Sequence, residues 1–242
     1  MKQFQLGFNY VLSGFKLILK PGIRVYVVIP LLINTLLFAT AILFGADSLN
    51  NLINGLLARW DWLEYLTWLI WPIFVIISLA IVFFCFSIIA NLIGAPFNGF
   101  LAASVERSLT GKEITSINEQ ALIKVVVDAI KSEFQKVLYF IIRAIPLLIL
   151  FIIPMVQVAA PLIWFLFTAW MLALEYGDYP MGNHDIDFKQ QREKFRLNRQ
   201  LAFGFGSGVM LLTMIPVINF FAMPVAVAGA TRMFVESPEL KL

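Results

Sequence analysis

The chain has 242 residues, of which 60% are hydrophobic and 14% charged, with a formal net charge of +3. A soluble domain carries roughly 45–50% apolar and about 25% charged residues, so this composition excludes an ordinary water-soluble fold and makes lipid the solvent for much of the surface. The slight, scattered positive charge excludes a nucleic-acid-binding protein, and a single cysteine, Cys85 in an apolar run, excludes an intrachain disulfide and reads as a buried structural thiol.

In chain order, the first element is an amphipathic helix. Phe4, Phe8, Val11, Phe15, Ile18 and Leu19 recur at helical spacing opposite Gln3, Lys16 and Lys20, which predicts a helix over 1–21 lying on the membrane surface. Pro21-Gly22-Ile23-Arg24 ends it. Residues 25–46 carry no charge, a stretch of 22 residues, and a span needs about 20, so a first spanning helix is expected over 22–46. Ala39-Thr40-Ala41 loosely resembles a cleavage site. However, the region before the apolar run is too long for a signal peptide and the run continues past it, so the helix is read as uncleaved.

Residues 65–105 are also uncharged, 41 in all, which is too long for one helix. A second span is placed at 66–93, with Trp60, Trp62, Tyr65, Trp68 and Trp71 as an interfacial aromatic belt and Gly94-Ala95-Pro96 as its break. Residues 98–136 are expected to form amphipathic helices. Ser116 and Glu119 give a capping-box pattern, Leu122, Val126, Ile130 and Phe134 an apolar stripe, and Lys124, Asp128 and Lys131 a charged face.

Two further uncharged blocks, 144–174 and 200–231, are each long for one span and short for two, and each is punctuated by proline: Pro146, Pro154 and Pro161 in one, Pro216 and Pro224 in the other. Each reads either as two tilted spans or as a hairpin of short helices that enters the membrane and returns, placed at 137–174 and 200–232. Broken backbone at membrane depth must line protein or a watery cavity, which makes such segments pointers to transport sites. Between them, Glu175 to Asp185 is dense in polar groups and reads mainly as a capped turn tying the hairpins together. If both hairpins return to the side they left, every basic cluster falls on one face, which the positive-inside tendency makes cytoplasmic. The fold class is therefore an all-α integral membrane protein, a single membrane domain over 1–242 with two full spans and two proline-broken, partly penetrating hairpins.

The chemistry of an enzyme is missing. One histidine, His184, cannot supply a two-histidine zinc site, and no Walker A sequence or Gly-x-Ser-x-Gly elbow occurs. No catalytic residue, metal or cofactor is expected. Gly204-Phe205-Gly206-Ser207-Gly208 lies in an apolar block with no preceding strand and reads as close helix packing. The anion chemistry is more suggestive. A helix N-terminus offers unpaired N–H groups and a positive dipole end, and Arg24 adds a planar fork suited to a tetrahedral oxyanion; the plainer reading is an arginine flanking a membrane helix. Asn34, Asn91 and Asn98 are amides in or beside apolar runs, able to line a hydrated path or to bond between helices. Glu106 and His184 are candidates for proton relay, with a solvated helix end and a turn as their bland alternatives.

Taken together, Ser13-Gly14 through Lys20-Pro21-Gly22-Ile23-Arg24 to Ile29-Pro30-Leu31-Leu32-Ile33-Asn34, then Asn91-Leu92-Ile93-Gly94-Ala95-Pro96-Phe97-Asn98-Gly99, Glu175-Tyr176-Gly177-Asp178-Tyr179-Pro180 with Asn183-His184, and Pro216-Val217-Ile218-Asn219 running into Met223-Pro224 and on to Thr231, resemble the CysZ family of bacterial sulfate transporters over about residues 4–236. The resemblance implies sulfate uptake across the bacterial inner membrane by a multi-pass protein, proton-dependent and feeding cysteine biosynthesis. It also implies homo-oligomers built from dimers in inverted arrangement, with sulfate and the lipid bilayer as partners. It places a sulfate site at Gly22, Ile23 and Arg24, where Val25 stands in place of the family's second arginine. The translocation path would use Asn34, Asn91, Asn98 and Glu106, and proton coupling Glu106 or His184. A non-transporting membrane scaffold or regulator of sulfur assimilation is the alternative; a membrane enzyme lacks a convergent set of catalytic groups.

Overall fold

The computed structural model describes residues 2–57, 68, 72, 73, 76, 97–112 and 122–241. Every regular element among them is helical. Most of the expected span over 66–93, with Asn91, Cys85 and much of the tryptophan belt, lies outside the described residues, as does the Ser116/Glu119 cap. The helices are α1 (Lys2–Ile18), α2 (Val25–Leu57), α3 (97–110), α4 (Leu122–Ile149), α5 (Ala160–Gly182), α6 (Phe188–Leu197), α7 (Arg199–Thr213), α8 (Pro216–Glu236) and a terminal turn α9 (Pro238–Lys241). The chain divides into two compact units, Met1–Val25 with Asn98–Leu242, and Tyr26–Phe97.

The first unit is built around α1, α5, α7 and α8. The side of α1 that faces α7 and α8 takes Val11 and Ile18 from the expected apolar stripe, and Phe8 approaches Gly208, but Phe4 and Leu19 stay outside. Gly7, Tyr10, Val11, Gly14, Leu17 and Ile18 are buried, while Phe4, Leu6 and Leu12 are exposed. The reason is backbone proximity. A Cβ at Gly7 would collide with the Leu201 carbonyl, one at Gly14 with the Val225 carbonyl, and one at Gly204 with the Phe4 carbonyl. Small residues let the backbones touch and hold such packing together. Gly206 meets α5 in the same way, at the Ala169 carbonyl.

Two prolines set helix ends, whereas Pro146 and Pro224, expected to interrupt the apolar blocks, lie inside α4 and α8. Pro161 lies in the first turn of α5 and Pro216 opens α8, positions where a missing N–H costs nothing. The interruption between α4 and α5 covers residues 150–159, with Met155 in the left-handed region at φ 69° and a 3-10 turn at Val156–Val158. Between α7 and α8 the break is only Met214 and Ile215.

Two stretches differ from the sequence reading. Residues 175–182 are the last turns of α5 and not a turn between hairpins; the bend follows at 183–187. Lys136 fastens Glu175 and Asp178, three residues apart on one helix face, which keeps this polar segment helical. The basic stretch after it forms α6. Asp187 accepts from the Gln190 amide while the Gln190 side chain accepts from the Asp187 amide, a capping box that starts the helix. Phe188, Gln191 and Phe195 form its buried face.

Two described helices, α5 and α8, are long and apolar enough to cross a membrane by length and composition. α2 runs unbroken for 33 residues through Pro30, a rise of about 50 Å.

Candidate anion site

The segment between α1 and α2 is a type II turn written in its sequence. Pro21 presets φ at the second position and Gly22 supplies the positive φ required at the third, at 87°. The Ile23 amide closes the turn on the Lys20 carbonyl at 3.1 Å, and the Arg24 amide reaches the same carbonyl at 3.2 Å. Ile23 is 2% exposed and anchors the turn, while Pro21, Gly22 and Arg24 are exposed.

This leaves a defined set of donors. Among the described residues the Gly22 amide has no acceptor, and none of them comes within 4 Å of where a Gly22 side chain would start. The Arg24 guanidinium has no carboxylate partner among the described residues. Behind them, α2 begins at Val25 with the positive end of its dipole. The Lys20 ammonium is directed to Ser108 Oγ at 3.3 Å, tying the turn to α3. An amide and a guanidinium without partners among the described residues, beside a helix N-terminus, suit a small multiply charged oxyanion.

A second set of polar groups gathers where α3 meets the end of α5. Asn98 is buried, with Nδ2 3.4 Å from Tyr179 Oη and 3.6 Å from Met223 Sδ. Asn183 Nδ2 donates to the Gly99 carbonyl at 3.1 Å. His184 Nε2 lies 2.9 and 3.0 Å from the two carboxylate oxygens of Glu106, and the imidazole leans on Phe234 with ring centroids 5.0 Å apart. The imidazole thus contacts both oxygens of a largely buried carboxylate.

Along α4 and α5 a third cluster surrounds Lys136, which is 4% exposed. Its ammonium contacts Glu133, Asp178 at 3.0 Å and Glu175 at 3.2 Å. Burial alone would push the ammonium pKa down, but Asp178, Glu175 and Glu133 outweigh it and hold it above the ordinary lysine value. Among the described residues no group of His, Cys, Asp and Glu is arranged to hold a metal ion.

Residues 10–224 match the protein family described as "Sulfate transporter CysZ/Etoposide-induced protein 2.4". The chain belongs to this family. A curated relative from Vibrio parahaemolyticus serotype O3:K6 (strain RIMD 2210633), named "Sulfate transporter CysZ", is 43% identical over 235 residues, which cover 96% of this chain and 95% of the relative.

In this CysZ-family chain the residues singled out from sequence fall into separate groups. Gly22, Ile23 and Arg24 share one turn. Glu106 and His184, each suspected alone, are in contact, and Asn98 lies on the same helix as Glu106. Asn34 sits in α2 with its side-chain oxygen buried and without a hydrogen-bond partner among the described residues. Asn91 lies outside the described residues. The Lys136 cluster was missed. Its partners are 39 and 42 residues away, and in the sequence Lys136 reads only as one of several basic residues that set topology. Its one local signal was Glu133 a single turn before it.

Proposed function

We propose that this chain carries sulfate across the bacterial inner membrane as a multi-pass protein, supplying sulfur for cysteine biosynthesis. The observation that carries the reading is the relative named as a sulfate transporter, 43% identical across nearly the full length of both chains. The Gly22–Arg24 turn agrees with it chemically. Sulfate is held there by the Arg24 guanidinium and the free Gly22 amide at the start of α2, with the buried Ile23 side chain fixing the turn. Val25 in place of a second arginine leaves this site one guanidinium, which favours capture over tight retention.

A dianion cannot enter hydrocarbon unaided, so protein dipoles must replace its water along the route. Asn98 and Glu106 belong to that route. Asn34 and Asn91 are further amides for the passing anion. The Glu106–His184 pair takes up and releases the coupled proton. No ATP-binding motif occurs in the sequence, so a gradient or downstream consumption drives the flow.

The first span is α2 and the second covers 66–93, while α4–α5 and α7–α8 are hairpins that only partly penetrate. Two observations favour partial penetration. α7 has 15 residues, a rise of about 22 Å against a hydrocarbon core of about 30 Å. The uncharged part of α5 ends at Leu174, where the Lys136 cluster begins. The working form is a homo-oligomer built from dimers.

The test is radiolabelled sulfate uptake into proteoliposomes, with selenate, phosphate and chloride as competitors. Saturable uptake, blocked by selenate and not by chloride, supports transport. Absence of uptake by correctly inserted protein favours a membrane scaffold that moves nothing.

A further inference from the structure

Arg143 and Arg192 come from different helices and share one aromatic ring. The Arg143 guanidinium carbon lies 3.7 Å from the centroid of Tyr139, one turn before it in α4, and that of Arg192, in α6, lies 5.1 Å from the same centroid. The two guanidinium groups are therefore no farther apart than those two distances added together.

The platform between them is fixed. Trp170 Nε1 donates to Tyr139 Oη at 3.0 Å, and Phe188 packs edge-on against the ring at 5.6 Å and 80°. A guanidinium stacked on a ring keeps its in-plane N–H donors free. Neither arginine has an ion-pair or hydrogen-bond partner among the described residues. The carboxylates of α4 and α5 at Glu133, Glu175 and Asp178 are committed to Lys136. Two pre-oriented guanidiniums without a partner among the described residues are an arrangement that a bound anion completes.

The setting says where that anion sits. Arg143 is the last charge before the uncharged block 144–174. Around it Phe140, Ile141, Ile142 and Ile145 are exposed, as a lipid-facing helix surface requires. Arg192 sits on α6 with further basic residues, Lys189, Lys194 and Arg196. The pair thus lies where apolar helix surface gives way to basic helix, the level of the lipid headgroups.

We propose that Arg143 and Arg192, clamped on Tyr139, form a second oxyanion site at the membrane surface, distinct from the Gly22–Arg24 turn. Its ligand is a tetrahedral phosphate or sulfate group. The shared chemistry is bidentate guanidinium recognition. The source is either the phosphate of an anionic lipid or free sulfate gathered near the membrane.

Two measurements separate the sources. Native mass spectrometry counts phosphatidylglycerol against phosphatidylcholine retained by the intact protein from mixed micelles. Equilibrium binding of sodium sulfate is measured in an Arg24→Ala background, so that the turn site does not contribute. The double variant R143Q/R192Q loses about tenfold in at least one arm. Tyr139→Phe keeps the ring and keeps binding; Tyr139→Leu loses it. A loss confined to phosphatidylglycerol assigns the site to lipid, and a loss confined to sulfate assigns it to the solute. Unchanged binding in both arms, by protein eluting as wild type does, overturns the proposal. Should the double variant aggregate, R143Q and R192Q singly must each show about a threefold loss, and no loss in either single variant overturns it equally.

Discussion

Gly22 offers a graded test of the turn. Its φ of 87° is a region that side chains with a Cβ avoid, yet no atom of the described residues lies within 4 Å of where that Cβ would go. Substitution there costs backbone conformation alone, with no collision to confound it. Left-handed backbone costs roughly 1–2 kcal/mol for an ordinary residue, less for asparagine. If the chain keeps the type II turn, sulfate affinity is preserved and stability falls by that amount. If it escapes into a type I turn, the Gly22 amide rotates away and one charge-assisted donor to the anion is lost, roughly 1.5–3 kcal/mol or about 10- to 100-fold in affinity. The strain and the donor loss are of similar size, so the cheaper outcome for alanine is partial escape. The expected order of sulfate affinity is wild type, then Gly22→Asn, then Gly22→Ala, then Gly22→Val, read by equilibrium binding on protein whose oligomeric state is unchanged. Equal affinity across the series would show that the turn does not present its amide to sulfate, and the reasoning would fail.

Other consequences follow from the clusters. Lys136→Met leaves Glu133, Glu175 and Asp178 facing one another without their ammonium; removing one partner of a buried ion pair costs about 3–5 kcal/mol, which thermal unfolding in detergent should detect. Because the Lys136 pKa is raised in the fold, its contribution is complete below the ordinary lysine range and fades only above it. Glu106→Gln and His184→Ala should leave sulfate binding intact but abolish stimulation of uptake by an inward proton gradient; undiminished stimulation in both would remove the pair from coupling. Gly206→Ala should destabilise by about 1–3 kcal/mol or more, since the new methyl meets the Ala169 backbone, which cannot swing aside; a melting temperature equal to wild type would contradict the close α5–α7 approach.

Much of the helical layout was legible because charge and proline are local signals. The block 200–231 and Pro216 mark α7, its end and the start of α8. The start of α6 was also written, in Asp187 and Gln190 three residues apart, and was passed over among so many polar neighbours. Periodicity gave only part of the buried face of α1, Val11 and Ile18. Hydrophobicity ranks Phe4 above Gly7, whereas the close backbone approach of α1 to α7 decides which residue is buried, and glycine permits it. The Gly22–Arg24 turn was visible since Pro-Gly dictates turn type. The Lys136 cluster and the Glu106–His184 contact were not, because each joins residues far apart in sequence whose meeting is a product of helix packing.

The most direct measurement compares sulfate uptake and equilibrium sulfate binding for wild type and Arg24→Ala in the same proteoliposome preparation. Arg24 is exposed and without an ion-pair partner among the described residues, so the variant should fold normally and lose about 10- to 100-fold in affinity, with uptake falling in parallel at low sulfate. A folded Arg24→Ala protein that binds and carries sulfate as wild type does would contradict the assignment of the anion to this turn.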